Sequence, residues 1–370
     1  MRNAGRASVK STNEKLAEEM EAKCEPFNRA MPLNLTIETT MHCNSRCIMC
    51  QVYRNPTAMK RANLKDSILP FDVFGRIAKE TFPTAKTMSP TVMGEPLLTP
   101  YLQDMMGILD RYSVMMNIVT NGTLLTENVS RMLMPHLLKI KISFDGATKS
   151  TFEKIRRGSS FELVKRNVIE FNKIRNEMHL KERPTLILQA TLMKDNIKEL
   201  PDIVELAHSF GVDMVVGLHV YVFDSTFKKQ SLFYHREIAN EYLQKAKNRA
   251  EELGIAVHLP NAFNRKIEPS VKAANVCSQS TIGKRCKFLW REVWISNKGD
   301  VTPCCVPNRP VMGNIHETSF KDIWNNGLYQ EMRKRLNTDD PYACCRNCSL
   351  AVQYEPQLGF EYDKKSFFLF

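Results

Sequence analysis

Residues 33–50 read LNLTIETTMHCNSRCIMC. Apolar and polar side chains alternate over the first seven positions, the period of a half-buried strand. Cys43, Cys47 and Cys50 follow within a few residues. Three thiolates at intervals of four and three can hold three corners of one iron–sulfur cube, which takes four cysteine ligands when fully held by protein. No fourth cysteine stands nearby, so one iron is left open to a non-protein ligand, which implies chemistry rather than structural support. Zinc is the rival reading. A structural zinc site takes four ligands, and His42 is the remaining candidate, but it adjoins Cys43 and would have to fold back on it.

Outward from this stretch, apolar runs alternate with amphipathic ones. The runs are 33–39, 86–92, 113–119, 137–144, 184–191 and 212–220. Helical periodicity fills 160–178 and 197–211, the latter closed by Gly211 as a C-cap, and residues 234–254 give a further helix ending at Gly254. Six strands, each followed by helix, predict an α/β fold, a (β/α)6 partial TIM barrel, with its active groups at the C-terminal strand ends. Cys43, Gly94, Asn121 and Asp145 each fall just past one of the first four strands and are expected on one rim.

Beyond about 265 the pattern changes to short aromatic and β-prone pieces between Cys, Gly and Pro. In CKFLWREVWISNKGDVTPCC (286–305), WREVWIS alternates as a strand and NKGD is a hairpin turn, so Cys286 and Cys304 can face one metal. Cys345 and Cys348 form a CxxC in CCRNC and complete four thiolates, enough to saturate a cube or a zinc. Cys305 stands as an alternative to Cys304, and Cys344 to Cys345. The expected division is an N-terminal extension (1–30), a barrel (31–230), a helical bridge (231–269), a small iron–sulfur auxiliary domain (270–350) and a tail (351–370).

The chain has 370 residues, 43% of them hydrophobic, enough for a large core or two domains. No segment approaches the ~20 apolar residues of a membrane span, and the N-terminus lacks the apolar core of a secretory signal. Eleven cysteines, an odd number gathered in two clusters, fit metal binding in a reducing cytoplasm rather than a disulfide scaffold. The net charge of +12 suits an anionic substrate or partner; no nucleic-acid recognition motif accompanies it.

CNSRCIMC resembles the CxxxCxxC signature of the radical S-adenosylmethionine enzymes. MGEPLLT (93–99) is similar to that family's GGEP motif, with Met93 at the place of the first glycine. TNGTLLT (120–126) and ISFDGATKSTFEKIRRGSSF (142–161) follow in the expected order. The resemblance implies a [4Fe–4S] cluster whose open iron binds S-adenosylmethionine, cleavage of that cofactor to a 5′-deoxyadenosyl radical, and hydrogen abstraction from the substrate. It implies that Glu95 accepts from the methionyl amine, that Gly94 lets the backbone approach closely, and that Ser143 and Asp145 lie near the ribose and methionyl end. Asn121 would cap the third strand end, Arg156 or Arg157 would pair with the cofactor carboxylate, and Met49 would contact the adenine. The C-terminal region resembles the SPASM auxiliary domain. No cysteine follows Cys348, which brings the chain closer to the shortened twitch form, with one auxiliary [4Fe–4S] cluster. A flavodoxin or ferredoxin-type electron donor is implied.

A substrate radical can lose an electron and proton, regain hydrogen on the opposite face, or attack another group. Auxiliary thiolates suit the first exit; a free thiol, Cys277 being the candidate, suits the second. With about 30 residues before the first strand, a small polar metabolite (sugar, aminocyclitol or nucleoside-like) is the favoured substrate for oxidation or epimerisation. Epimerisation or crosslinking of a ribosomally made peptide is the alternative. A non-enzymatic iron–sulfur or zinc protein would need neither an open iron nor the GEP and FDG motifs.

Overall fold

The computed structural model describes residues 2–55, 59–60, 67–222, 225–263, 286–306, 309–336, 338 and 340–346. Each of the six apolar runs forms a strand, and helices follow them. In chain order the main elements are α1 (Arg2–Ala22), β1 (Asn34–Ile37), α2 (Gln51–Arg54), α3 (Phe71–Thr81), β2 (Thr87–Ser89), α4 (Leu102–Tyr112), β3 (Met115–Thr120), α5 (Glu127–Leu133), β4 (Leu137–Ser143), α6 (Lys149–Ile155), α7 (Phe161–Glu177), β5 (Thr185–Leu192), α8 (Leu200–Ser209), β6 (Met214–His219), α9 (Arg236–Leu253) and β7 (Ala256–His258). The C-terminal region adds α10 (Phe288–Arg291), β8 (Glu292–Ile295), β9 (Asp300–Thr302), β10 (Gly313–Asn314), α11 (Phe320–Trp324), α12 (Gly327–Leu336) and α13 (Ala343–Arg346). Gly211 and Gly254 have φ of 68° and 67°, the left-handed conformation that a helix C-terminus favours and that glycine adopts without a Cβ penalty.

The described residues form two compact units. The first draws on the described residues within 1–42, 61–118 and 277–348, the second on those within 43–60 and 119–276. In the first unit β1 pairs in parallel with β2, and β2 with β3. On its other side β1 pairs in parallel with β8, from Asn34↔Glu292 to Ile37↔Ile295. The hairpin read at WREVWISNKGD forms as β8 and β9, antiparallel, with Gly299 at φ 81° in the turn. The strand of the auxiliary segment is therefore a direct neighbour of the strand that leads into the cysteine motif. Trp290, Trp324 and Tyr329 are fully buried beneath it. The two indoles donate to backbone carbonyls of Glu25 (2.9 Å) and Ala30 (2.8 Å), which fixes the chain entering β1.

In the second unit β4, β5, β6 and β7 pair in parallel in that order. Strands covered by helices read as apolar runs. Helix α7 buries Val164, Val168, Phe171 and Ile174. The Ser160 and Thr148 side chains cap α7 and α6 by accepting from Leu163 and Thr151 N–H. Among the described residues no helix is long and apolar enough to cross a membrane.

Candidate functional site

In the second unit the cysteine motif runs over a loop that ends with Cys50 as the N-cap of α2. Cys43 is exposed, Cys47 buried and Cys50 half-buried. The loop is pinned at four points. Arg46 and Ile48 N–H donate to the Arg157 and Ile155 carbonyls at 2.6 and 3.0 Å. The Ser45 and Ser159 hydroxyls share a 2.8 Å hydrogen bond, and Asn44 donates to Thr123 at 2.8 Å. Gly158, at φ 87°, makes this approach possible: a Cβ there would stand 3.1 Å from the Asn44 carbonyl oxygen.

Asn121 takes a part beyond capping a strand end. Its Nδ2 donates to Asn44 (2.7 Å) and Ser45 (3.0 Å) and lies 4.0 Å from Cys43 Sγ, while its Oδ1 accepts from Thr123. The TNGT segment thus braces the cysteine loop. Asp145 is fully buried and uses both carboxylate oxygens, one accepting from Arg156 Nε and the other from Thr191 N–H. Arg156 Nη1 reaches Cys47 Sγ at 3.6 Å. Burial works against the Arg156 charge, but Asp145 and Cys47 outweigh it and push its pKa up. Of the two adjacent arginines, Arg156 faces the cysteine loop and Arg157 is exposed. Ser143 is buried at the end of β4. Met49 packs against the apolar cluster of Ile155, Met193, Val220 and Phe227.

Burial pushes the Cys47 thiol above its ordinary value, with Arg156 opposing. A buried sulfur next to a guanidinium and within reach of N–H donors is a fitting ligand for a positively charged metal centre, which would take the place of the proton. Among the described residues no three Cys, His, Asp or Glu side chains converge on one point that a single ion would fill. A cube presents a separate iron to each thiolate, so its ligands need not converge in that way.

In the first unit the GEP turn lies against the backbone leading to the cysteines. Glu95 N–H donates to the His42 carbonyl at 2.7 Å. A Cβ on Gly94 would stand 2.1 Å from the Thr40 carbonyl oxygen, so no other residue fits without moving that strand end. Glu95 is 2% exposed, and its Oε1 accepts from Leu97 N–H at 3.2 Å. The carboxylate thus serves the turn by capping the short helical segment that follows it.

The auxiliary cysteines also gather in the first unit. Cys304 is buried and Cys305 exposed; Cys344 and Cys345 open α13 with their sulfurs 4.0 Å apart. Burial raises the Cys304 thiol. The hydrogen bond to Cys344 comes first among the causes that raise Cys345; burial, Cys304 and Cys286 add to it. Cys286, Cys304 and Cys344 all act on Cys345, Cys344 acts on Cys304 as well, and Cys344 is the more buried of its doublet. Cys277 and Cys348 lie outside the described residues.

Two groups were not singled out from the sequence. Glu38, just past β1, is 5% exposed; burial pushes its carboxyl up to about 7, with backbone N–H groups of Asn297 and Met93 and the charge of Arg309 opposing. His219, at the end of β6, is pushed down to about 4 by burial. Glu38 is the one ionisable residue in the run 33–39, and His219 shares the run 212–220 only with Asp213, which is the signal that could have found them.

The radical SAM superfamily matches residues 37–207, and the SPASM iron–sulfur cluster-binding domain matches residues 286–349. The tungsten-containing aldehyde ferredoxin oxidoreductase cofactor-modifying protein of Pyrococcus furiosus is 25% identical over 340 residues, covering 85% of this chain and 87% of that protein. PqqA peptide cyclase of Gluconobacter oxydans is 23% identical, covering 86% and 82%. Among solved structures, Streptococcus suis SuiB bound to precursor peptide SuiA aligns with a TM-score of 0.57 at 17% identity, covering 82% of this chain and 67% of that one. The fold is an α/β radical SAM core, a partial barrel-like sheet, followed by a small iron–sulfur domain. Such domains bind S-adenosylmethionine and iron–sulfur clusters, and the chemistry they support is cleavage of the cofactor and hydrogen-atom abstraction. The motif order, the braced cysteine loop and both domain matches together make this chain a member of the radical S-adenosylmethionine enzymes that carry a C-terminal SPASM iron–sulfur domain.

Proposed function

We propose that this enzyme modifies a peptide. The observation that carries the reading is the company it keeps: PqqA peptide cyclase and the peptide-bound SuiB structure match most of this chain. The small-metabolite substrate favoured by the sequence is the weaker reading against these relatives, although the Pyrococcus furiosus cofactor-modifying protein keeps it in view.

Cys43, Cys47 and Cys50 would hold a [4Fe–4S] cluster with one open iron, and Cys286, Cys304, Cys345 and Cys348 would hold one auxiliary [4Fe–4S] cluster. When bound, that cluster and S-adenosylmethionine would supply the cofactor cleavage and hydrogen-atom abstraction that such domains support. This chain's residues position the reaction. Asp145 holds Arg156 against Cys47, so a fixed positive charge faces the cluster loop, where the cofactor carboxylate would bind. Asn121, Ser45 and Ser159 keep the loop from shifting. Gly94 and Glu95 would serve the cofactor's methionyl end, Ser143 its ribose, and Met49 would give the adenine an apolar, polarisable contact. Cys277 remains the candidate hydrogen donor should the outcome be epimerisation. A flavodoxin or ferredoxin-type protein supplies the electron.

The reconstituted enzyme, S-adenosylmethionine and reductant would be given host-cell extract, and 5′-deoxyadenosine measured. Stimulation that disappears when the extract is first treated with protease supports a peptide substrate. Stimulation that survives the protease and passes with the small metabolites overturns it.

A further inference from the structure

Strand β4, LLKIKIS, carries two lysines among its apolar residues, Lys139 and Lys141. Successive side chains of a strand point to opposite faces. Ile140, Ile142 and Phe144 are fully buried on one of them. A Cβ on Gly122 would stand 3.0 Å from Ile142 Cγ2 and 3.2 Å from Val164 Cγ1 of α7. The Phe144 ring lies 5.1 Å from that of Phe152 in α6 and 5.7 Å from that of Phe161 in α7. That face is therefore the one the helices cover. Leu137, Lys139, Lys141 and Ser143 share the other, the inner face of the barrel-like sheet. Leu137 is 1% exposed at its lower end and Ser143 7% at its upper end, with both lysines half-buried between them.

Barrel interiors are filled by branched apolar side chains, and an ammonium placed there costs free energy unless an opposite charge meets it. The neighbouring strands supply none. Lys139 pairs with Thr185, Lys141 with Ile187 and Ser143 with Gln189 on β5, and Ile187 and Gln189 pair with Met214 and Val216 on β6. None of these positions carries a carboxylate. Burial pushes the Lys141 pKa down, and Lys139, the one charged group among the described residues that acts on it, adds to the effect. Lys141 stands one step below Ser143 on the inner face, ~7 Å along the strand, so a side chain entering past Ser143 meets its ammonium. We propose that Lys141, with Lys139 behind it, receives a carboxylate of the substrate peptide inside the barrel. This rests on the peptide reading and narrows it: the segment brought to the radical site contains an acidic group. The two like charges repel while the site is empty, and a carboxylate between them ends both that repulsion and the unpaired burial.

The test follows acetylation of Lys139 and Lys141 by mass spectrometry in the full reconstituted protein, under a limiting amine reagent. The probes are a capped short-peptide library with one fixed Glu and no other acidic residue, a matched library with Gln in its place, and inorganic phosphate. The Glu library is expected to half-protect Lys141 at a concentration about tenfold lower than the Gln library, the worth of one charge-assisted hydrogen bond. Equal concentrations for the two libraries overturn this inference alone, since a peptide then binds without using its carboxylate. Protection by phosphate and by neither library overturns the peptide reading with it. No protection by any of the three overturns the site. K141M separates a binding role from a structural one. Its urea midpoint is expected at or above that of the wild type, because an unpaired, half-buried charge is gone, while the Glu library loses its advantage in protecting Lys139. A lower midpoint, or an unchanged preference for Glu at Lys139, overturns the assignment of Lys141.

Discussion

His219 ends β6 with both ring nitrogens buried and without a hydrogen-bond partner, its ring 5.0 Å from that of Phe263. A neutral imidazole tolerates such a place; an imidazolium does not, which is why burial holds its pKa at about 4. The unfolded chain, with His near 6.5, binds more protons than the folded one between those values. Stability is therefore lost as pH falls below the unfolded pKa. Between about pH 7.5 and about pH 5.5 this one residue is expected to remove ~1 kcal/mol. Anaerobic urea midpoints of wild type and His219→Leu at both pH values check this. An equal acid loss in the variant would assign the effect elsewhere. The sequence hid both His219 and Glu38 for one reason. Period-two alternation assigns a residue to a face of a strand, but it does not say whether that face meets water. In LNLTIET, Glu38 falls on the polar face, and in this fold that face is covered as well.

At the scale of elements, α12 shows what a side chain can do to a region that has little apolar surface of its own. Arg333 is fully buried. Its fork donates to the carbonyls of Leu289 (2.9 Å), Pro26 (3.0 Å) and Trp324 (2.9 Å) and to Asn325 Oδ1 (3.0 Å). Its plane lies 4.7 and 4.9 Å from the Trp324 and Tyr329 rings. One guanidinium ties α12 to α10, to α11 and to the segment before β1. Arg333→Lys keeps the charge but not the fork, and leaves carbonyls unsatisfied in a buried place. A loss of ~2–4 kcal/mol is expected, read as a lower urea midpoint; a midpoint within error of wild type would remove Arg333 as the organising contact. The residue was half legible. Tyr329, Met332 and Leu336 mark a buried helical face that includes position 333, yet the run RKR reads as an exposed basic end. The six strands were legible because each is a continuous local pattern. The pairing of β8 with β1 was not, since the two lie about 260 residues apart and no local rule encodes that register.

For the whole molecule, the decisive quantity is how many cubes the chain holds and which one is open. The triad Cys43, Cys47 and Cys50 is proposed from a spacing that is local, and local spacing sets reach. For the proposed auxiliary set the sequence leaves the choice within each doublet open. Adjacent cysteines point in different directions, and the sequence does not say which direction is inward. The structure buries Cys304 and exposes Cys305, and in the second doublet it buries Cys344 more deeply than Cys345. If each cluster depends on its own cysteines, removing one ligand should empty one cluster and spare the other. Wild type is expected to carry about eight irons, four for each cube. Cys43→Ala should retain about half of the iron and form no 5′-deoxyadenosine, because three ligands already leave one iron open and two cannot hold the cube. Cys304→Ala should also lose about half of the iron but still show a resonance signal altered by S-adenosylmethionine, since the open iron is untouched. Cofactor cleavage at the wild-type rate by cluster-depleted Cys43→Ala would refute the assignment of the open iron. Full iron content in Cys304→Ala would move the auxiliary ligand to Cys305, against the burial pattern.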